Sequence, residues 1–386
     1  MAHALSFSFE RETNQVIFAG NSCVKEVILN RPRKLNALNH EMICQMTKNL
    51  KLYETDSAVR LVILKANGNA FCAGGDVVFV VTSSLAGHWT YPASFYKKQL
   101  TLDYIIATYK KPLVSLINGL VMGGGAGLTM NTTFRVVTEK TVFAMPETSL
   151  GIPPDVGASY FLSRLPGYFG EYVGLTGVGL DGAEMVACGL ATHFVHSKKL
   201  SSLENALQAV TTSDIATIAT VMDKFTENAY VKEDSPFRRL ETINKCFSKG
   251  TVEEIILSLE NERENGAENW MTDALNSMRY SSPTSLKLFL RVVRIIIREG
   301  RHEQNIGKSL AKDYIISYHM FRRTVSNDFY EGARAKMFDK DKKPRWEPAK
   351  LELVSEEMVD RHFRTVDEEG WECLVLPDRS TIVSRL

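Results

Sequence analysis

The sequence predicts an α/β core of mostly parallel strands followed by a mainly helical region, and two observations carry that prediction. Through the first two hundred residues, short β-branched runs alternate with stretches of helical periodicity. From about Ser201 onward the pattern is helical and more charged. Strands separated by helices pair in parallel, because each crossover needs a dozen or more residues to return to the same edge. The division falls at 1–200 for the core and 201–386 for the helical region. No flexible linker separates them, so the helical part is expected to pack on the core.

The elements follow in order. Val24–Leu29 and Leu61–Lys65 are apolar, β-branched runs and read as strands. Between them Leu38, Met42, Ile43, Met46 and Leu50 recur at helical spacing, with Asn39 placed as the N-cap. A second helix spans Ala93–Tyr109, with Leu100, Tyr104 and Ile105 on one face. Pro112–Ile117 returns to strand, a glycine run opens a short helix, and Phe134–Val137 is strand again. Beyond Ser201 the periodicity predicts helices over 202–210, 213–225, 252–261, 283–299 and 306–318. Ser282 before Pro283 fits an N-cap with proline at the first helical position. The stretch from Asp339 to Pro348 reads as a solvated loop anchored by Trp346.

Composition removes several classes of function. Of 386 residues, 46 are basic and 45 acidic, so the net charge of +1 offers no global field to nucleic acid or an anionic membrane. Apolar runs such as Arg60–Leu64 fall far short of the roughly 20 residues a spanning helix needs. Met1–Glu10 lacks the basic-then-apolar layout of a secretory signal, and the first thirty residues lack transit-peptide character. The six cysteines (Cys23, Cys44, Cys72, Cys188, Cys246, Cys373) show no CxxC spacing and read as reduced thiols without a metal.

Three stretches are candidates for chemistry. Met122-Gly123-Gly124-Gly125-Ala126-Gly127-Leu128 follows a strand and opens a helix. Glycines there admit another group close to the backbone, whose free N–H donors stabilise negative charge on a phosphate or an attacked carbonyl. Close packing through small residues is the alternative, and spacing does not choose between them. Ala70-Phe-Cys-Ala73-Gly-Gly-Asp76 is a second small-residue turn after a strand, able to supply the other donor of an oxyanion hole. Third, Glu147 and Asp155 are separated by a proline-stiffened loop and can converge on one pocket as acid, base or nucleophile. The plainer readings are an N-cap for Asp155, opening a helix over 156–165, and a surface carboxylate for Glu147. Gly177-Val-Gly179-Leu-Asp-Gly182 matches G-x-G-x-x-G, but no buried strand precedes it, so a junction between helices is expected instead of a dinucleotide site. His193 and His196 are expected on opposite faces of a strand, which argues against shared metal ligation.

Taken together, Asn30-Arg-Pro32, Leu35-Asn-Ala37-Leu38, the Ala70–Asp76 turn, Asn118-Gly119 and the glycine run resemble the crotonase (enoyl-CoA hydratase/isomerase) superfamily. Within it, Thr138–Glu147, Pro154-Asp155-Val-Gly157, Tyr160–Leu165, Gly189–Phe194, Ser282–Ser285, Asp328–Arg334 and Asp339–Pro344 with Trp346 resemble the 3-hydroxyisobutyryl-CoA hydrolase family. The resemblance covers nearly the whole chain. It implies a crotonase-like spiral of β-β-α repeats with a mainly helical C-terminal region. It implies an acyl-CoA thioester substrate, with CoA entering as part of the substrate and no separate cofactor, as in valine breakdown. CoA would lie near Leu35 and Ala37 and near Phe71–Asp76, with Asp76, Gly123 and Gly125 among the substrate contacts. The thioester oxygen would sit between the N–H groups of Ala73, or its immediate neighbour, and Gly124. Glu147 would attack the acyl carbon or activate water, and Asp155 would orient the substrate or pass a proton to the leaving thiol.

Two departures bear on the substrate. Hydratases of the superfamily carry a second glutamate shortly after the glycine run, where this chain has Gly127, and this disfavours hydration. The hydrolase family has a substrate-contacting Glu in the helix before Lys111-Pro112, where this chain has Gln99. The Pro153-Pro154 pair also differs from the family's Phe-Pro. The alternatives are an enoyl-CoA isomerase or hydratase, and a CoA-binding relative whose activity is lost or shifted. The resemblance also allows a homo-oligomer. The terminal Ser384-Arg385-Leu386 resembles the Ser-Lys-Leu peroxisomal address, so a peroxisomal location is expected ahead of a cytoplasmic one.

Overall fold

The structure is a computed structural model that describes residues 14–266, 268–298, 305–365 and 372–379. The sequence expectations for Met1–Glu10 and for Ser384-Arg385-Leu386 fall outside those residues. In chain order the strands are β1 (Val16–Gly20), β2 (Val24–Leu29), β3 (Leu61–Ala66), β4 (Ala70–Cys72), β5 (Leu113–Ile117), β6 (Leu120–Met122), β7 (Phe134–Val137), β8 (Val142–Ala144), β9 (Leu180–Asp181) and β10 (His193–Phe194). They form two sheets, ordered β1-β2-β3-β5-β7-β10 and β4-β6-β8-β9. Among the described residues only the outer pairs β1–β2 and β8–β9 are antiparallel. The rest run parallel, with Ile63 opposite Val114 and Val114 opposite Phe134.

β1 and β2 both join the first sheet before α1, and from β3 to β8 each turn of the chain contributes one strand to the first sheet, one to the second, and then a helix. The helices of the core are α1 (His40–Thr55), α2 (Val77–Ala86), α3 (Thr90–Ala107) and α4 (Gly124–Thr129). Thus β3–β4 lead to α2 and α3, and β5–β6 lead to α4. β7–β8 lead to a turn of 3-10 helix and the short helix Ala158–Leu162. The result is the expected spiral of β-β-α repeats.

Local chemistry explains the boundaries. The Asn39 side chain accepts the Met42 N–H at 3.0 Å and starts α1 where expected, so that Met42, Ile43, Met46 and Leu50 face inward. Ser282 likewise accepts the Ser285 N–H at 3.1 Å and opens the helix Pro283–Arg298. The β-branched run Val77-Val-Phe-Val-Val81 is helical nonetheless. Asp76 caps it by accepting the Phe79 N–H at 3.2 Å, and Val80 and Val81 pack inward. The loop after Asp339 is held by Trp346, whose indole N–H donates to Tyr280 O at 2.8 Å.

The two parts of the chain share one apolar core. Leu64, Phe71, Leu102, Val121 and Phe143 belong to the same buried cluster as Leu286, Phe289 and Leu310. Each such side chain removed from water contributes about 1.5–3 kcal/mol. The outer face of the first sheet (Val24, Ile63, Val114, Val136) is covered by Leu203, Leu207, Ile218 and Met222 of two further helices. Among the described residues no helix is long and apolar enough to cross a membrane, and all six cysteines are free.

Candidate active site

β4 and β6 pair in parallel, Ala70 opposite Leu120, so both end on the same side of the second sheet. After β4 the chain turns through Gly74 at φ +99°, and after β6 through Gly123 at φ +47°. Both are left-handed conformations that suit glycine. These turns bring two backbone segments together: an ideal Cβ on Gly124 would lie 3.2 Å from Gly75 N. The N–H groups of Gly75 and Gly124 donate to no acceptor among the described residues. Ala73, the donor expected from sequence, is not available: its N–H is given to Leu35 O at 3.0 Å. The pair of free donors is therefore Gly75 and Gly124, with Gly75 two residues along from Ala73.

Two carboxyl groups meet these donors. Glu147 opens the 3-10 turn Glu147–Leu150 directly after Pro146. Its side chain is 8% exposed, and its Oε2 has no hydrogen-bond partner among the described residues. An ideal Cβ on Gly123 would lie 2.7 Å from Glu147 Oε1, so glycine at 123 is what admits the carboxyl. Burial pushes the Glu147 carboxyl up to about 8, a rise that the cation of Lys336 opposes. The plainer alternative for Asp155, a cap opening a helix at Val156, does not hold: that helix begins only at Ala158, with Gly157 at its cap position. The Asp155 carboxyl is buried in the same cavity as Glu147 and is held well above the ordinary carboxylate range, by burial first and by Asp313 second.

One cavity collects Ala73, Gly75, Gln99, Gly123, Gly124, Glu147 and Asp155, with Val80, Phe95, Tyr96, Ile152, Phe321 and Phe329 as apolar walls. Gln99 is 2% exposed and rests on the glycine run, its Nε2 2.4 Å from where a Gly124 Cβ would stand. Its Oε1 is buried without a partner among the described residues. The other expected site residues lie apart. Asp76 caps α2 and pairs with Arg31 at 3.4 Å. Leu35 is 48% exposed and Ala37 accepts from Arg31 at 2.6 Å, and neither lines the cavity. Gly125 packs on β4, where a Cβ would meet Cys72 O at 2.6 Å.

Sequence reasoning missed four contributors. Gly75 stands in the quoted motif, but only the Leu35 contact shows that its N–H, and not that of Ala73, is free. Phe321 and Phe329 come from the helical region and carry no local signal of a pocket. Lys336 lies in a π-helical segment, Arg334–Phe338. Its Nζ donates to Ser149 Oγ in the turn that begins at Glu147, and stands 5.6 Å from the Tyr280 ring centroid. Burial lowers its affinity for a proton, against the pull of Glu147.

The remaining motifs are structural. His193 faces Asp223 at 3.6 Å and His196 faces Glu139 at 3.5 Å, and no metal-ligating group of three is found among the described residues. In Gly177–Gly182, Gly177 ends one helix in the left-handed conformation and Asp181 caps the next, with Glu184 completing a capping box.

Comparison with known proteins adds to this geometry. Residues 24–363 match the enoyl-CoA hydratase/isomerase family. The chain is 50% identical over 370 residues to the Arabidopsis thaliana protein named probable 3-hydroxyisobutyryl-CoA hydrolase 3, covering 96% of this chain and 97% of that one. It is 48% identical over 369 residues to 3-hydroxyisobutyryl-CoA hydrolase 1 of the same plant, covering 96% of each. Among solved structures, a carnitinyl-CoA dehydratase from Mycobacterium thermoresistibile superposes with a TM-score of 0.82 at 32% identity, over 92% of this chain and 98% of the other.

Proposed function

The chain belongs to the enoyl-CoA hydratase/isomerase family, and from that premise we propose that it hydrolyses an acyl-CoA thioester, converting 3-hydroxyisobutyryl-CoA and water to 3-hydroxyisobutyrate and CoA. One observation carries the reading: two unpartnered backbone donors, Gly75 and Gly124, face two buried carboxyl groups, Glu147 and Asp155, across one apolar cavity.

A thioester carbonyl gains negative charge when attacked. With its oxygen between the Gly75 and Gly124 N–H groups, that charge is met by donors already in place, and each is worth about 2.7–4 kcal/mol of barrier. Ionised Glu147 then attacks the acyl carbon or takes the proton of an attacking water. As the C–S bond breaks, the thiolate takes a proton from Asp155, whose buried site keeps it in the acid form. One water is consumed, and CoA and the hydroxy acid leave. CoA itself runs outward past Leu35 and Ala37. The sequence of reactions is that of valine breakdown.

Two details favour a β-hydroxyacyl substrate and hydrolysis over hydration. Among the described residues the buried Gln99 Oε1 has no donor, and a β-hydroxyl is a donor that could satisfy it. At Gly127 a side chain has no room: an ideal Cβ would stand 2.9 Å from both Asp103 Oδ2 and Val156 Cβ. A second carboxylate for adding water across a double bond cannot be placed there. The test is thiol release from a panel of short acyl-CoAs, set against absorbance change of a conjugated enoyl thioester. Thiol release supports the hydrolase, whereas enoyl turnover without thiol release assigns the site to a hydratase or isomerase.

A further inference from the structure

The helix Ile306–Arg322 belongs to the helical region, yet its Phe321 lines the cavity. Its Asp313 is buried, and Oδ2 accepts the Gly157 N–H at 2.8 Å. Gly157 closes the turn that carries Asp155. That turn is held in an unusual conformation, with Val156 at φ +51° and Gly157 at φ +82°. A β-branched residue in the left-handed region costs of order 1–3 kcal/mol and persists only where its surroundings enforce it. The enforcing contacts come from the same helix. Besides Asp313, Ser309 bonds to Ser159 at 2.7 Å, and Ile306 and Leu310 lie 3.5 and 3.6 Å from where a Gly157 Cβ would be.

The charges around the turn are unbalanced. Asp313 and Lys312 approach from the helix and Asp103 from α3, and Glu147, with Lys336 near it, lines the same cavity as Asp155. Cys72 of β4 faces Asp103. Asp103 is fully buried, and neither of its carboxyl oxygens has a partner among the described residues. Asp155, Asp313 and Asp103, on three elements and in so little water, cannot all be ionised together. Asp313, whose carboxyl burial raises only to about 7 because it accepts the Gly157 N–H and lies near Lys312, is the one suited to hold the negative charge.

We infer that Asp313 is a positioning residue for the hydrolysis: its carboxylate fixes the Asp155–Gly157 turn through the Gly157 N–H and presents negative charge to Asp155, keeping that side chain in its proton-donating form. This rests on the hydrolase reading above. The proton that Asp155 gives to the leaving thiolate returns from the water consumed, and Asp313 itself transfers none.

The experiment compares kcat against pH for wild type, Asp313→Asn and Asp313→Glu. Asparagine keeps the acceptor for Gly157 and removes the charge, while glutamate keeps the charge. Loss of the Asp155 proton sets the alkaline limb, and a neighbouring anion holds that limb at high pH. Asp313→Asn is therefore expected to bring the alkaline limb down by about one pH unit, with the acid limb in place. Asp313→Glu is expected to leave both limbs where they are while kcat falls. An alkaline limb that superimposes on wild type in Asp313→Asn overturns the inference and leaves the hydrolase intact. A second readout does not depend on turnover: the infrared carbonyl band of the protonated acid, identified by its loss in Asp155→Asn. In Asp313→Asn that band is expected to titrate about one pH unit lower. If wild type releases no thiol, the hydrolase reading falls and the band alone decides. An unmoved band overturns the inference in either case.

Discussion

Glu147 occupies the space that a side chain on Gly123 would fill: an ideal Cβ at 123 stands 2.7 Å from Glu147 Oε1. The glycine is fixed twice over, by that approach and by its φ of +47°. Gly123→Ala is expected to displace the carboxylate, lowering kcat by about a hundredfold, the order that a 1 Å misplacement costs. The fold should lose only about 1–3 kcal/mol from the strained backbone. Steady-state kinetics beside a thermal melt separates the two effects.

The buried carboxyl at 147 makes stability and activity respond oppositely to pH. Its proton affinity in the folded state is raised from an ordinary 4.5 to about 8. Stability from the neutral form is thus complete below about 4.5 and is lost as pH rises through about 8. Hydrolysis needs the ionised form and should rise over the same upper range. Glu147→Gln is expected to abolish thiol release yet melt at a higher temperature than wild type at pH 8.5, with the gap closing at pH 5. Melting curves at the two pH values check the sign.

Lys336 is the cation that works against this burial. Lys336→Met removes it and should move the acid limb of kcat to higher pH, because Glu147 then ionises less readily. Lys336→Arg should restore most of the wild-type profile. An unmoved limb in Lys336→Met would show that the cation only supports the Ser149 turn.

Gln99 governs the β-hydroxyl. Its unpartnered Oε1 accepts that group as a neutral amide, and a charged acceptor bonds roughly twice as strongly. Gln99→Glu should raise the preference for 3-hydroxyisobutyryl-CoA over isobutyryl-CoA about tenfold in kcat/KM, and Gln99→Leu should erase it. The ratio of the two kcat/KM values is the measurement.

The spiral was legible in the sequence because parallel strands buried on both faces show as uninterrupted apolar runs such as Leu61–Leu64, spaced by capped amphipathic helices such as α1. The helix α2 was not: Val77–Val81 favours a strand by composition, and only the Asp76 cap and its packing over the cavity override that. Glu147, Asp155, Gly124 and Gln99, which line one cavity, could be singled out because each sits in a motif or at a position that motifs bracket. On the other side the expectation was Ala73 or its immediate neighbour, and the Ala73 N–H is taken by Leu35 O. Which N–H of a turn is free depends on the partner of its neighbour, here Leu35, nearly forty residues away. Phe321, Phe329, Asp313 and Lys336 were invisible for the same reason: the first two reach the cavity, and the others its Gly157 and Ser149 turns, from more than 150 residues beyond Asp155.

The most direct test of the central claim is colorimetric thiol release from 3-hydroxyisobutyryl-CoA by wild type and Glu147→Gln at pH 8. Rapid release by wild type, falling to the uncatalysed rate in the variant, is the expected result. Equal release by the two proteins would contradict it, because the thioester would then be cleaved without the carboxylate that faces the Gly75 and Gly124 donors.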